Sequence, residues 1–380
     1  MGQSERRPRV AAIVTEWREN SHADVIVGKY LDGCRYPPLD LDYRPRVAIA
    51  SLYTDQVPER DLSREYARRH QIPIFPTITE ALTLGGRDLA VDGVLLIAEH
   101  GNYPFNEKGQ HLYPRRRFFE EAAAVVRRSG RPVPFFNDKH LSYRWEDAWW
   151  MYRTARELKI PFMAGSSLPL TWRRPPLELP REAPITAALA VGYGGVESYG
   201  FHALETLQCM VERRRGGERG LAAVQCLSGE AVWQAGDRGE WSWSLLQAAL
   251  SRSERVARGM TPAEVRRAVR EPVAFMLEYR DGLRAAVLML DGLGSEFLFA
   301  ARLEGQAEPV STLFWLQEPK PFAHFALLCE AIERMMLTGQ PTYPVERTLL
   351  TTGALAFLMD SRFEGGARLQ TPDLGIRYRV

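Results

Sequence analysis

At 380 residues the chain exceeds what one ordinary core supports, and typical domains of ~150 residues divide it into about two. An apolar fraction of 45% and a charged fraction of 25% are those of folded globular proteins, which excludes extended disorder. Lys plus Arg (49) nearly cancels Asp plus Glu (47), and a net +2 supplies no global field for nucleic acid or anionic lipid, so neither is an expected partner.

The opening Met1-Gly2-Gln3-Ser4-Glu5-Arg6 is polar and lacks the apolar segment of a secretory leader. No stretch reaches the ~18 consecutive apolar residues of a membrane span, and a cytoplasmic location is expected. Arg9–Thr15 and Arg46–Tyr53, rich in Val, Ile and Ala, read as strands. Asp92–Ala98 is a near-continuous apolar run, the pattern of a parallel strand covered on both faces. Pro132–Phe136 and Ile160–Ala164 are shorter strand candidates. Helical patterns fall between them at His22–Leu31, Pro58–His70, Tyr113–Arg128 and Tyr143–Leu158, with Ser142 placed to cap the last. Such alternation builds right-handed β-α-β units and a doubly wound parallel sheet.

After about Gly165 the texture changes, and the Pro-rich Leu168–Pro184 reads as a linker or strap. Helices are expected at Gly200–Arg213, Ser242–Ser251, Ala323–Leu337 and Val345–Ser361. Val273–Tyr279, Leu283–Leu290, Ser295–Leu303 and Val310–Gln317 form consecutive strands. Asp281-Gly282 between the first two signals a hairpin, because Gly accepts positive φ. The expected architecture is α/β followed by α+β. A Rossmann-like domain occupies residues 1–165, and an α+β domain with an open antiparallel sheet occupies 166–380, its C-terminal helix packing back on the first. Phe275, Leu277, Phe297, Phe299, Phe314 and Leu316 alternate along the strands. One face without a covering helix should therefore be apolar and form a homodimer or larger assembly. Cys34, Cys209, Cys226 and Cys329 lie far apart with no C-x-x-C pair, which points to free thiols in a reducing compartment.

Particular stretches carry more information. Ser51-Leu52-Tyr53-Thr54-Asp55 ends a strand on an acidic residue, with Pro58-Glu59-Arg60 after it. Asn137-Asp138-Lys139-His140-Leu141 follows a strand, Gly200-Phe201-His202-Ala203-Leu204-Glu205 lies on a helix, and Gly339-Gln340-Pro341 precedes Pro344-Val345-Glu346. With Asp92–Ala98, these resemble the glucose–fructose oxidoreductase/inositol dehydrogenase (Gfo/Idh/MocA) family. They stand where it has its second strand, E-K-P motif, catalytic-histidine helix, closing G-x-P-x-x-P-x-E element and the strand before its active-site loop. The resemblance implies oxidation of a sugar, polyol or related hydroxylated compound with NAD(P) as hydride acceptor. It assigns Lys139 to hydrogen-bond the reacting hydroxyl, His202 to exchange its proton, and Asp55 to a cofactor ribose; Thr15 and Arg18 are further cofactor-binding candidates at the same edge. The family's G-x-G-x-x-G lets backbone approach a pyrophosphate on a helix N-terminus. Here Val14, Glu16 and Glu19 occupy the glycine positions, and each carboxylate would repel a phosphate by ~1 kcal/mol.

Lys139 stands directly after a strand, at the carboxyl edge where doubly wound folds bind ligands; a solvated loop lysine is the alternative. His202 titrates near neutrality and suits proton exchange, against a core histidine bonded to a carbonyl. Glu99 and His100 also follow a strand; a base or metal ligand explains them, as does a satisfied loop carboxylate. Glu99, His100, His140 and His202 converging on one cleft would suit Zn, Mn or Fe, although no local spacing marks a metal site. Asn102–Pro114 is long for a strand-to-helix loop and reads as a lid or a surface insertion. Arg115-Arg116-Arg117 and Arg213-Arg214-Arg215 read as solvated helix faces. Three functions follow: an oxidoreductase on a sugar-like substrate, a non-redox lyase, hydratase or isomerase on the same scaffold (metal-assisted or not), and a non-catalytic binding protein.

Overall fold

The computed structural model describes residues 6–380, so the polar start read from residues 1–5 lies outside the described residues. Two compact units form, each from separated stretches of chain. The first takes the chain up to Pro104, Leu112–Leu170 and Gln317–Val345; the second takes Phe105–His111, Thr171–Leu316 and Glu346–Val380.

Five strands build the first unit's sheet: β1 (Arg9–Val14), β2 (Ala48–Thr54), β3 (Gly93–Ile97), β4 (Phe135–Asp138) and β5 (Phe162–Gly165). They lie in the order β2-β1-β3-β4-β5, all parallel. Every residue of β3 is buried, as its unbroken GVLLI run requires of a strand covered on both faces. After β1 a turn of π-helix, Ala23–Val27, runs into α1 (Gly28–Asp32). The other crossovers carry α2 (Ser63–His70), α3 (Ile78–Thr83), α4 (Arg115–Ser129) and α5 (Trp145–Glu157). Ser142 does not cap α5; its hydroxyl accepts from the amide of Arg144, at 3.4 Å, and Arg144 is the N-cap. Parallel pairing brings the ends of all five strands to one edge, where Thr15, Asp55, Glu99, Lys139 and Ser166 emerge.

The second unit is an eight-stranded sheet: β6 (Trp172–Arg174), β7 (Ile185–Gly192), β8 (Leu221–Ser228), β9 (Val273–Tyr279), β10 (Arg284–Met289), β11 (Phe297–Leu303), β12 (Val310–Trp315) and β13 (Leu369–Gln370). Their order is β13-β8-β9-β10-β7-β11-β12-β6. The α/β plus α+β class expected from the sequence is therefore observed, with one correction: the sheet is mixed. The β9–β10 and β11–β12 hairpins form as read, but β7 lies between them, parallel to β10 and antiparallel to β11. Neither β7 (ITAALAVG) nor β8 was anticipated, because their alanines dilute the β-branched signal.

The helices of this unit correct a second expectation. α6 (Ser198–Val211) covers one face, α7 (Glu230–Asp237) and α8 (Trp243–Leu250) the other, and α9 (Pro262–Ala268) adds Val265 to the second core. Val191, Leu288 and Leu298 pack with Trp233, Trp241 and Leu246, while Phe275 and Phe297 point to α6. Gly200 permits that approach, since a Cβ there would stand 2.9 Å from the Phe275 ring. Phe275, Leu277, Phe297, Phe299 and Phe314 are all buried within the chain, each such burial contributing about 1.5–3 kcal/mol. Five of the six residues expected to form an apolar assembly face are thus covered by the chain itself, and Leu316 is part-buried. α10 (His324–Thr338) belongs to the first unit, where Tyr30 donates to the Cys329 carbonyl at 2.8 Å; α11 (Val345–Phe363) lies almost wholly in the second.

Candidate active site

Glu99 follows β3 and Lys139 follows β4, so parallel pairing sets them side by side. The Lys139 ammonium lies 2.9 Å from Oε1 of Glu99, and each side chain is only 6% exposed. Oε2 of Glu99 accepts from the Arg115 guanidinium, which is wholly buried and also meets Nε2 of His140 at 3.1 Å. Burial alone would raise the Glu99 pKa, but Lys139 and Arg115 override it and hold the carboxylate well below its usual range. Asn137 shapes the loop by donating from Nδ2 to the carbonyls of Asp138 and His140, both at 3.1 Å. Lys139 and His100 adopt φ of 61° and 72°, the left-handed region that costs a bulky side chain about 1–3 kcal/mol. Left-handed backbone thus occurs just past two successive strands of the parallel sheet. His100 is neutral at physiological pH, because burial, reinforced by His22, pushes its pKa down to about 3.

Arg115 corrects the reading of the basic run. It shares a helix face with Phe118, Phe119 and Ala122, all buried, and that i, i+3, i+4, i+7 spacing was the available signal. Arg116 stacks 3.4 Å over the Trp150 ring, and Arg117 bonds Asp55. In the second run Arg215 is exposed as expected, but Arg214 is buried, bidentate to Glu218 at 2.8 and 3.0 Å and 2.7 Å from Asp281. The tip of the long Asn102–Pro114 loop is anchored in the second unit by an ion pair between Lys108 and Asp360, with Phe105 stacked on His111.

The candidate cofactor residues are engaged by the chain itself. Oδ1 of Asp55 accepts from Tyr53 at 2.6 Å and from Arg117, and Oδ2 accepts from Tyr103 at 2.6 Å. Burial would raise the pKa of Asp55, but these three donors together hold it lowered. The Thr15 hydroxyl donates to the Glu99 carbonyl at 2.7 Å, and Arg18 pairs with the buried Glu16 at 2.8 Å. Trp17, only 1% exposed, stacks on Tyr66 at 4.7 Å inside the turn that would face a pyrophosphate. Asp24, in the first turn of the following helix, accepts from the Asn20 amide at 2.9 Å. Carboxylates and an indole thus fill what a glycine turn would leave to phosphates. A dinucleotide held in the usual Rossmann manner does not fit these residues.

His202 lies in the second unit on α6, 9% exposed, with Nδ1 3.8 Å from Glu205 and its ring 6.0 Å from that of Phe297. Among the described residues no group of three or more His, Cys, Asp or Glu side chains is placed to hold a metal ion. Both Glu99 oxygens are already committed to cations. No helix among the described residues is long and apolar enough to cross a membrane.

No protein-family model matches the chain, and no curated protein matches it by sequence. Solved structures do match along its length. GenD2 from gentamicin A biosynthesis, in complex with NAD, aligns with a TM-score of 0.59 at 13% identity, over 97% of this chain and 98% of its own. Apo scyllo-inositol dehydrogenase from Lactobacillus casei gives 0.58 at 9% identity, over 97% and 99%. Aldose-aldose oxidoreductase from Caulobacter crescentus, complexed with glycerol, gives 0.53 at 13%, over 96% and 100%. The fold is that of the Gfo/Idh/MocA dehydrogenases. At these identities the likeness establishes architecture, and the roles of individual residues rest on this chain's own geometry.

Proposed function

We propose that this chain is an oxidoreductase of the Gfo/Idh/MocA type acting on a sugar, polyol or similar hydroxylated small molecule at the carboxyl edge of its parallel sheet. One observation carries the reading: Lys139, at the strand end where the resemblance expects a catalytic lysine, is buried 2.9 Å from Glu99, itself clamped by Arg115. An ammonium fixed there hydrogen-bonds a substrate hydroxyl and favours negative charge developing on its oxygen. His100 carries a neutral imidazole whose Nδ1 is buried without a hydrogen-bond partner. His202 is a separate candidate for proton exchange. Four buried free cysteines support a cytoplasmic setting.

NAD would be the hydride acceptor by analogy with GenD2, but the filled turn at Glu16, Trp17 and Asp24 gives it no ordinary seat. That same turn favours a second reading, a non-redox enzyme on hydroxylated substrates. Titration calorimetry with NAD and NADP, combined with ligand-observed NMR against inositols, aldoses and glycerol, tests both. Polyol binding with dinucleotide binding supports the oxidoreductase, and polyol binding alone supports the second reading. Binding of neither rejects both.

A further inference from the structure

Asp138 closes β4 with its side chain wholly out of solvent, and its Oδ2 lies 2.6 Å from Nδ1 of His22. The other carboxylate oxygen, Oδ1, is buried without a hydrogen-bond partner. A purely structural ion pair is stabilised by satisfying both oxygens, since every unpaired lone pair out of water costs free energy. Here the carboxylate is spent on a single contact, to one nitrogen of one imidazole. His22 opens the helix after β1, its ring edge-on to Phe325 at 5.5 Å and 5.3 Å from the ring of His100. The ring retains 12% exposure, so it is reachable. A carboxylate accepting from Nδ1–H fixes the tautomer that leaves Nε2 as a basic lone pair.

We propose that His22, oriented by Asp138, is a proton-transfer residue of this site, accepting the proton of a substrate hydroxyl through Nε2. The inference rests on the reading that the site receives a hydroxylated small molecule. In the step, the substrate O–H bond breaks, its proton passes to Nε2, and the electron pair stays on oxygen as an alkoxide. The imidazolium then faces the Asp138 carboxylate, and the Lys139 ammonium, on the adjacent residue, favours the alkoxide. Glu99, His100 and His324 are the other titratable groups on which the charge of His22 acts. Asp138 is the positioning residue. The segment expected to cradle a pyrophosphate carries a base instead.

The test uses the full chain with 15N-labelled histidine at pH 8, with His22→Gln assigning the signal. Wild type should show His22 protonated on Nδ1 and bare on Nε2. Asp138→Asn should shift the tautomer ratio towards Nε2–H by roughly 10- to 100-fold, the worth of a charge-assisted hydrogen bond. An Nε2–H tautomer in the wild type, or an unchanged ratio in a folded Asp138→Asn, overturns the proposal. Should Asp138→Asn not fold, diethyl pyrocarbonate labelling of wild type decides: His22 should be modified ahead of the buried His140 and His324, and its protection overturns the assignment. On a substrate found by the polyol panel, His22→Gln should lower kcat by ~10²-fold or more with KM little changed; an unchanged kcat overturns it. The tautomer and labelling readouts need neither substrate nor dinucleotide, so their failure is distinct from failure of the oxidoreductase reading.

Discussion

Replacing Glu99 by Gln tests the charged cluster on which the proposed function rests. The substitution is nearly isosteric, so packing is preserved, but Lys139 and Arg115 remain buried beside one another without an anion. Breaking a buried ion pair by removing one partner costs about 3–5 kcal/mol, because the charge left behind is uncompensated. With two cations left, the upper half of that range is expected. The pH dependence gives a sharper signature. A carboxylate whose folded pKa is depressed stabilises the fold above its unfolded pKa, near 4.5, and that stability is lost as pH falls through the folded value. The penalty of Glu99→Gln should therefore be full at neutral pH and shrink progressively below about 4.5. Urea denaturation of wild type and variant between pH 7 and pH 3, followed by near-UV circular dichroism, measures this. The double variant Glu99→Gln/Lys139→Met should recover much of the loss at pH 7. A penalty under about 1 kcal/mol at pH 7, or one independent of pH, would refute the reasoning.

Lys139→Gln and His202→Gln should each reduce turnover on the true substrate by ~10²–10⁴-fold, measured by steady-state kinetics, with the folded-state spectrum retained; wild-type rates would remove either assignment. Calorimetric titration should give weaker NAD binding for wild type than for Glu16→Gly/Glu19→Gly, since the double variant removes bulk and like charge together; equal affinity would place the obstruction at Trp17 and Asp24. The depressed pKa of His100 means that the unfolded chain binds its proton first as pH falls from 6.5 towards about 3, so stability drops across that window. His100→Gln should flatten this slope in pH-dependent thermal melts. Tyr103→Phe should raise the pKa of Asp55 by withdrawing one of its three donors, visible in a carboxylate NMR titration.

The parallel sheet was legible because buried parallel strands write continuous apolar runs, as Asp92–Ala98 does. The edge that carries Glu99, His100 and Lys139 followed from those runs, since chain direction fixes where each strand ends. Strand β7 was not legible: its alanines carry no strong preference, and its place between two hairpins is set by tertiary packing. Arg115 was misread because a basic triplet looks like a solvated face until its register with Phe118 and Phe119 is followed. His22 and Asp138 lie 116 positions apart, and nothing local to either announces the pair. Asp55 was correctly placed at a strand end, but Tyr103 and Arg117, which occupy it, come from a loop and a helix far along the chain.

The interleaving of the two units bears on how the molecule is made. The first unit is completed only by Gln317–Val345, which supplies the backbone carbonyls that receive Lys29 and Tyr30 and the carboxylate of Glu333 that receives Arg46. During synthesis the β-α-β half must wait while the whole central portion of the second unit is translated, a delay on the order of 10 s at ordinary elongation rates. Through that interval the surface destined for α10 is bare. The order of translation therefore leaves the nascent first unit without α10, and the second unit, although later in sequence, has most of its sheet in hand before the first can close.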